Sequence, residues 1–254
     1  SVVVSTVVFS LADPALAWRL LFWTGALPAL LVLYIRRRVV DAPIVAQRKV
    51  RDQHRDSIGA IFGRRLAWTT CCAALLATGV QGGYYTLATW IPAYLKTQRH
   101  LTVLGTGTYL VVLISGAFAG YLAGSYLTDL LGRKWTFILF ATLSAGLIVA
   151  YTHVPTGANT TVLVLGFPLG FCTSAIFSGF GSYLAELYPT AHRGTGLGFT
   201  YNVGRAVGAL FPTLVGFLAA SWGLGGALAL GALAYGLAVL ALFGLPETCG
   251  RELL

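Results

Sequence analysis

Residues 66–95 are thirty consecutive amino acids without one charged side chain. A helix rising 1.5 Å per residue crosses the ~30 Å hydrocarbon core of a bilayer in roughly 20 residues. In lipid every backbone N–H and C=O must be bonded within the chain, so a run this long spells a helix. Comparable runs cover 17–35, 102–128, 135–153, 161–187, 195–221 and 225–245. Apolar residues make up 57% of the chain and charged residues 10%, against about 25% charged in soluble domains. The expected fold class is therefore an all-α membrane protein.

The net charge is +9, which raises the question of nucleic acid. Nine of the seventeen Lys and Arg, however, fall within 36–65, and most of the others stand at the edges of apolar runs. That distribution sets membrane topology and does not line a groove, so no nucleic-acid partner is expected. After 36–65 the basic loops alternate: Arg133-Lys134, then Arg193, then Arg251. The loops between carry only Lys96 and Arg99, or nothing. Basic loops face the cytoplasm, which puts the C-terminus there in a bacterial inner (plasma) membrane protein.

Ser1–Leu11 has the character of the last half of a spanning helix, and the chain contains no Met. The expectation is a piece of a longer protein. Residues 36–65, with Pro43 near their start, read as a basic cytoplasmic linker. Six spans after such a linker have the shape of one half of a two-bundle transporter. Cys71, Cys72 and Cys172 sit inside apolar runs, and neither they nor Cys249 show metal-ligand spacing. No cofactor or metal is expected. The Gly-x-Gly repeats at 194–198 follow no predicted strand, so a nucleotide loop is excluded. No nucleophile–base pair suggests an enzyme.

Three motifs carry a family resemblance. Gly124-Ser-Tyr-Leu-Thr-Asp129-Leu-Leu-Gly132-Arg133-Lys134 is similar to the loop signature Gly-x-Leu-x-Asp-Arg-x-Gly-Arg-Arg/Lys of the major facilitator superfamily. Ser125 and Leu130 depart from it. Glu186-Leu-Tyr-Pro-Thr-Ala-His-Arg193-Gly-Thr-Gly-Leu-Gly198 resembles the junction of the tenth and eleventh helices in sugar-porter-like and metabolite:proton symporter branches. Pro246-Glu-Thr-Cys-Gly is similar to their Pro-Glu-Thr-x-Gly ending. The resemblance implies the major facilitator fold, with a C-terminal six-helix bundle plus helix six and a partial helix five. It divides the chain into 1–35 (partial fifth and complete sixth helices), 36–65 (linker) and 66–254 (six-helix bundle).

The resemblance also implies a cytoplasmic gate of Asp129, Arg133, Lys134, Glu186 and Arg193. Lys and Arg alone suffice to set orientation, so the acids call for another role. Ion pairs that join helix ends in one state and part in another supply it. Arg205 lies about ten residues into its span, ~15 Å deep at 1.5 Å per residue. A cation at that depth is functional by default. Its planar fork suits a substrate carboxylate; a structural pair with backbone carbonyls or with an absent helix is the competing explanation. Asn202 shares its side of the helix. Gln81, Tyr85 and Thr89 recur every four residues on one helix face, with Tyr84 beside them, and make up the rest of the expected substrate site. Ser174 and Ser178 read as interhelical glue. Gly116, Gly120 and Gly124, like Gly204 and Gly208, form ridges for close helix approach.

The expected function is alternating-access transport of a small organic anion, such as a carboxylate, an aromatic acid or a sialic acid. The partners are that substrate, protons, the bilayer and a missing N-terminal half. Proton coupling follows from the resemblance alone. The rival readings are a neutral-sugar porter and a non-transporting half-protein or receptor-like membrane protein.

Overall fold

Pro14 opens the first helix, α1 (Pro14–Arg38), where its fixed φ suits a helix start and its missing N–H costs nothing. The computed structural model describes residues 14–38 and 58–250. The partial fifth helix and most of the 36–65 linker lie outside the described residues. The chain divides into two units, Ser1–Arg55 and Asp56–Leu254. In the first, α1 exposes Trp18, Phe22, Trp23 and Tyr34. Trp18 meets Phe22 edge-on, with ring centroids 6.1 Å apart.

The second unit begins with a short 3-10 turn (Ile58–Phe62). Six helices follow: α2 (Ala67–Thr97), α3 (Val103–Leu130), α4 (Arg133–His153), α5 (Asn159–Glu186), α6 (Arg193–Gly208) and α7 (Leu210–Phe243). Charges or caps punctuate them. Thr102 caps α3 by accepting from Gly105 N. Ala209 keeps helical angles, so α6 continues into α7. Inside α7 the chain turns at Gly223, whose φ of 70° is a left-handed value that favours glycine. The run 193–243 is thus two successive spans.

Among the described residues, four helical runs are long and apolar enough to cross a membrane: 105–130, 133–153, 159–186 and 193–243. Seven runs were expected. The bend at Gly223 recovers one of the difference. α1 is not among the four, and α2 falls short because it mixes polar side chains into its length, Gln81 and several threonines among them.

α2 packs on α7 and α6, α4 on α7 and α5, and α3 on α5. The glycine ridges set these contacts. A Cβ on Gly116, Gly120 or Gly124 would strike the backbone at Phe167, Phe171 and Ala175 in turn. The constant offset means that α3 and α5 run parallel. Gly204 and Gly208 meet Ala77 and Gly82 in the same way, so α6 runs parallel to α2. Gly79 and Gly83 press on Ala238 and Tyr235 in descending order, so α7 runs antiparallel to α2. Without a hydrophobic drive between helices in lipid, small residues permit the backbone contact that holds them. The core between the helices is filled by Tyr94, Phe137, Phe180, Tyr183, Tyr188 and Tyr235, each at most 2% exposed. Outward, α3 shows Val111, Ile114, Phe118, Tyr121 and Tyr126. An apolar face this wide marks a lipid or protein contact.

Candidate functional site

Two groups of expected site residues stand apart along the helices. The first gathers where α3 meets α4, α5 ends and α7 gives way to the tail. Arg133 Nε donates to both Glu186 carboxylate oxygens, at 2.9 and 2.7 Å. Its Nη1 donates to Asp129 Oδ1 at 3.1 Å. The Arg133 and Glu186 side chains are 20% and 15% exposed, whereas Asp129 is 72% exposed. The shielded pair therefore carries most of the interaction, because an exposed pair is worth only ~0–1 kcal/mol. Both shielded charges occupy unfavourable ends. A cation opens α4, where the helix dipole is positive, and an anion closes α5, where it is negative. Pairing them relieves both penalties at once.

Glu247 completes this cluster. It accepts from the backbone N–H of Arg133 and Lys134, each at 3.0 Å, and from Thr248 and Cys249 in its own turn. The tail carboxylate thus sits on the N-terminus of α4, a position that favours an anion. Gly132, at φ 89°, admits it; a Cβ there would press on the Glu247 carboxylate. Burial pushes the Glu247 carboxyl up, but four backbone donors together outweigh it and hold it below its ordinary value. Thr248 Oγ1 donates to Glu186 Oε2 at 2.6 Å, which links the tail to the ion pair. Lys134 Nζ reaches the Leu245 carbonyl and Tyr183 OH the Pro246 carbonyl. Arg193 donates from Nη2 to Thr190 Oγ1 at 3.3 Å, so its hydrogen bond stays within its own loop. Glu247 was legible as part of the Pro-Glu-Thr motif, but nothing in the sequence named its partners.

The second group lies on α2 and α6. Gln81, 1% exposed, donates from Nε2 to the Tyr201 carbonyl at 3.1 Å and accepts from Tyr85 OH at 3.3 Å. It ties α2 to α6. Tyr84 packs edge-on against Phe177 at 5.1 Å and Tyr85 at 6.2 Å. Thr89 is exposed. Asn202 is exposed and donates back to Gly198 O. Arg205, one turn past Tyr201, is exposed, and its side chain makes no hydrogen bond or ion pair among the described residues. Beside Tyr84, a cavity of about 390 Å³ opens between α2, α3 and α5.

Arg99 is a residue whose part the sequence did not disclose. As a loop charge it should be solvated, yet it is 7% exposed. Its Nε and Nη2 donate to Tyr94 OH, Nη1 to Pro155 O at 2.7 Å, and Nη2 to Val154 O. It closes the C-terminal end of α4, where carbonyls lack helix partners. Its neighbour Gln98 accepts from Gly225 N at 3.0 Å, just past the Gly223 turn. Two consecutive side chains thus fasten the α2–α3 connection to the other two connections at that end.

The sequence profile of the Major Facilitator Superfamily matches residues 1–126 and again 113–252. The chain belongs to the Major Facilitator Superfamily. It is an integral, multi-pass, all-α membrane protein of that fold. It is 35% identical over 251 residues to the "Probable 4-methylmuconolactone transporter" of Cupriavidus pinatubonensis, covering 98% of this chain and 58% of that protein. It is 27% identical over 248 residues to the cis,cis-muconate transport protein of Acinetobacter baylyi, covering 93% of this chain and 57% of that protein. It is 27% identical over 217 residues to the gentisate transporter of Corynebacterium glutamicum, covering 82% and 47%. The chain spans about half the length of these relatives. Of the Arg133–Glu186–Glu247 cluster, Arg133 lies within the 124–134 loop signature.

Proposed function

We propose that this chain is the C-terminal part of a secondary transporter that takes up a small organic acid together with protons by alternating access. The observation that carries the reading is Arg205. Its guanidinium lies twelve residues beyond Arg193, so about 18 Å along the axis at 1.5 Å per residue, and is exposed without a protein partner among the described residues. A cation held there needs an anion, and a substrate carboxylate fits its fork. The relatives support the class, since their names specify muconate, methylmuconolactone and gentisate. The substrate site is assigned to Arg205 and Asn202 on α6 with Gln81, Tyr84, Tyr85 and Thr89 on α2. The gate is assigned to Asp129, Arg133, Lys134, Glu186 and Arg193. With these at the cytoplasmic face of the inner membrane, the C-terminus is cytoplasmic. The proton carrier is assigned to the N-terminal half, since no Asp or Glu lies within α2 or α6.

The test is uptake by the intact transporter in proteoliposomes. Labelled cis,cis-muconate and gentisate should accumulate, glucose should not, and a protonophore should abolish accumulation. Glucose uptake without acid uptake would overturn the reading in favour of a sugar porter.

A further inference from the structure

Ser174 breaks a pattern on α5. The other hydroxyls nearby turn back onto their own helix: Thr173 to Leu169 O at 2.8 Å, Ser178 to Ala175 O at 2.7 Å and Ser182 to Gly179 O at 2.9 Å. Such back-bonding is the ordinary way to satisfy a hydroxyl in a helix. The Ser174 hydroxyl makes no hydrogen bond among the described residues. Neither does the Tyr84 hydroxyl, although its ring is held against Phe177. The two residues line the same cavity of about 390 Å³ between α2, α3 and α5, and share a smaller one of about 210 Å³ with Tyr121 and Phe177. The rest of the larger wall is apolar, with Leu87, Ile91, Leu113 and Leu169 prominent. Its third hydroxyl, on Thr173, is already committed. The Ser174 hydroxyl was expected to be glue; it faces a pocket instead.

We propose that Tyr84 and Ser174 are the specificity-determining pair of the transporter. The pocket takes the apolar body of the acid, and the two open hydroxyls bind one hydrogen-bonding substituent remote from the carboxylate. This rests on the reading of the protein as an organic-acid transporter. The volume lies within the ~300–1,000 Å³ typical of small-molecule sites, and few polar groups in an apolar wall is their usual composition. A body with many hydroxyls would leave most of them unpaired in this wall. A body with none would leave Tyr84 and Ser174 unpaired. Sites built to bind a hydroxyl reject the analogue lacking it more strongly than apolar sites reject an extra one.

Binding to the purified intact transporter tests this with benzoate, 4-hydroxybenzoate and gluconate, three monocarboxylates that differ in body. The expected order is 4-hydroxybenzoate tightest, benzoate roughly tenfold weaker and gluconate weakest. Ser174→Ala should erase the preference for 4-hydroxybenzoate while leaving benzoate within about twofold, a split that a folding defect would not produce. Tyr84→Leu should weaken both ring acids. Gluconate binding as well as benzoate, or an unchanged ring-acid ratio in Ser174→Ala, overturns the pair while the organic-acid reading stands. If none of the three binds but glucose does, the organic-acid reading falls as well.

Discussion

Arg133 Nε lies 2.7 Å from Glu186 Oε2 and joins the first residue of α4 to the last residue of α5. Each charge stands at a helix end that disfavours it, and each is largely shielded. In the proposed gate this pair would join the two helix ends in one state and part in the other. That is the behaviour required of a latch between two states. Glu186→Gln should weaken the closed arrangement by about 1.5–3 kcal/mol, the worth of a hydrogen bond to a charged group, and so shift the conformational balance roughly tenfold or more. The measurement is initial uptake by the intact transporter, normalised to the amount inserted in the membrane. Asp129→Asn should also lower uptake with insertion intact, but by less, because Asp129 is mostly exposed. Wild-type uptake from both variants would remove the gate role.

Glu247 predicts a pH dependence. Its folded pKa lies below its ordinary value because four backbone donors favour the carboxylate over the opposing effect of burial. A depressed carboxylate contributes stability above its unfolded pKa and loses it as pH falls through the folded value. The thermal midpoint of the purified protein should therefore drop on acidification through and below the usual glutamate range. Glu247→Gln should flatten that part of the curve and lower the plateau at neutral pH. An unchanged acid limb in the variant would show that other groups carry it.

The apolar runs were legible because charged residues punctuate them, at Lys96, Arg133, Glu186 and Arg193. The glycine ridges were legible because a spacing of four puts small residues on one helix face, whatever the partner. Partner choice was not. Glu247 and Glu186 are both acids near helix ends, and only the folded chain shows that one takes backbone amides and the other a guanidinium. Arg193 carried the same sequence signature as Arg133 but bonds within its own loop. Ser174 and Ser178 have identical spacing arguments, yet one turns inward onto its helix and the other faces a cavity.

Gly120 faces the Phe171 backbone so closely that no Cβ fits between them. The obstacle is main chain, which cannot rotate aside as a side chain could. Gly120→Leu should therefore force α3 and α5 apart and lose the packing of the neighbouring ridge positions. The expected outcome is poor recovery of folded protein and a thermal midpoint well below wild type, with a cost of about 3 kcal/mol or more, at the upper end of core overpacking. Gly146→Leu is the control, because a Cβ at Gly146 meets nothing within 4 Å. It should be tolerated. Equal behaviour of the two variants in a detergent thermal melt would sink the parallel α3–α5 contact.

Arg99 carries the last prediction. A buried guanidinium that meets no acid among the described residues is tolerated when its donors find acceptors, and here four of its five N–H groups serve Tyr94 OH and the Val154 and Pro155 carbonyls. Lysine keeps the charge but has a single nitrogen, which cannot reach three acceptors arranged around a planar fork. Arg99→Lys should thus lose two or more bonds while retaining a buried cation, and Arg99→Gln should lose the bonds without the cation. If fork geometry is what matters, both variants lower the thermal midpoint, and lysine lowers it at least as much as glutamine. A cost of about 2–3 kcal/mol is expected from the charged hydrogen bonds alone. If lysine were as stable as wild type, charge rather than geometry would be holding the α2–α3 connection to the end of α4.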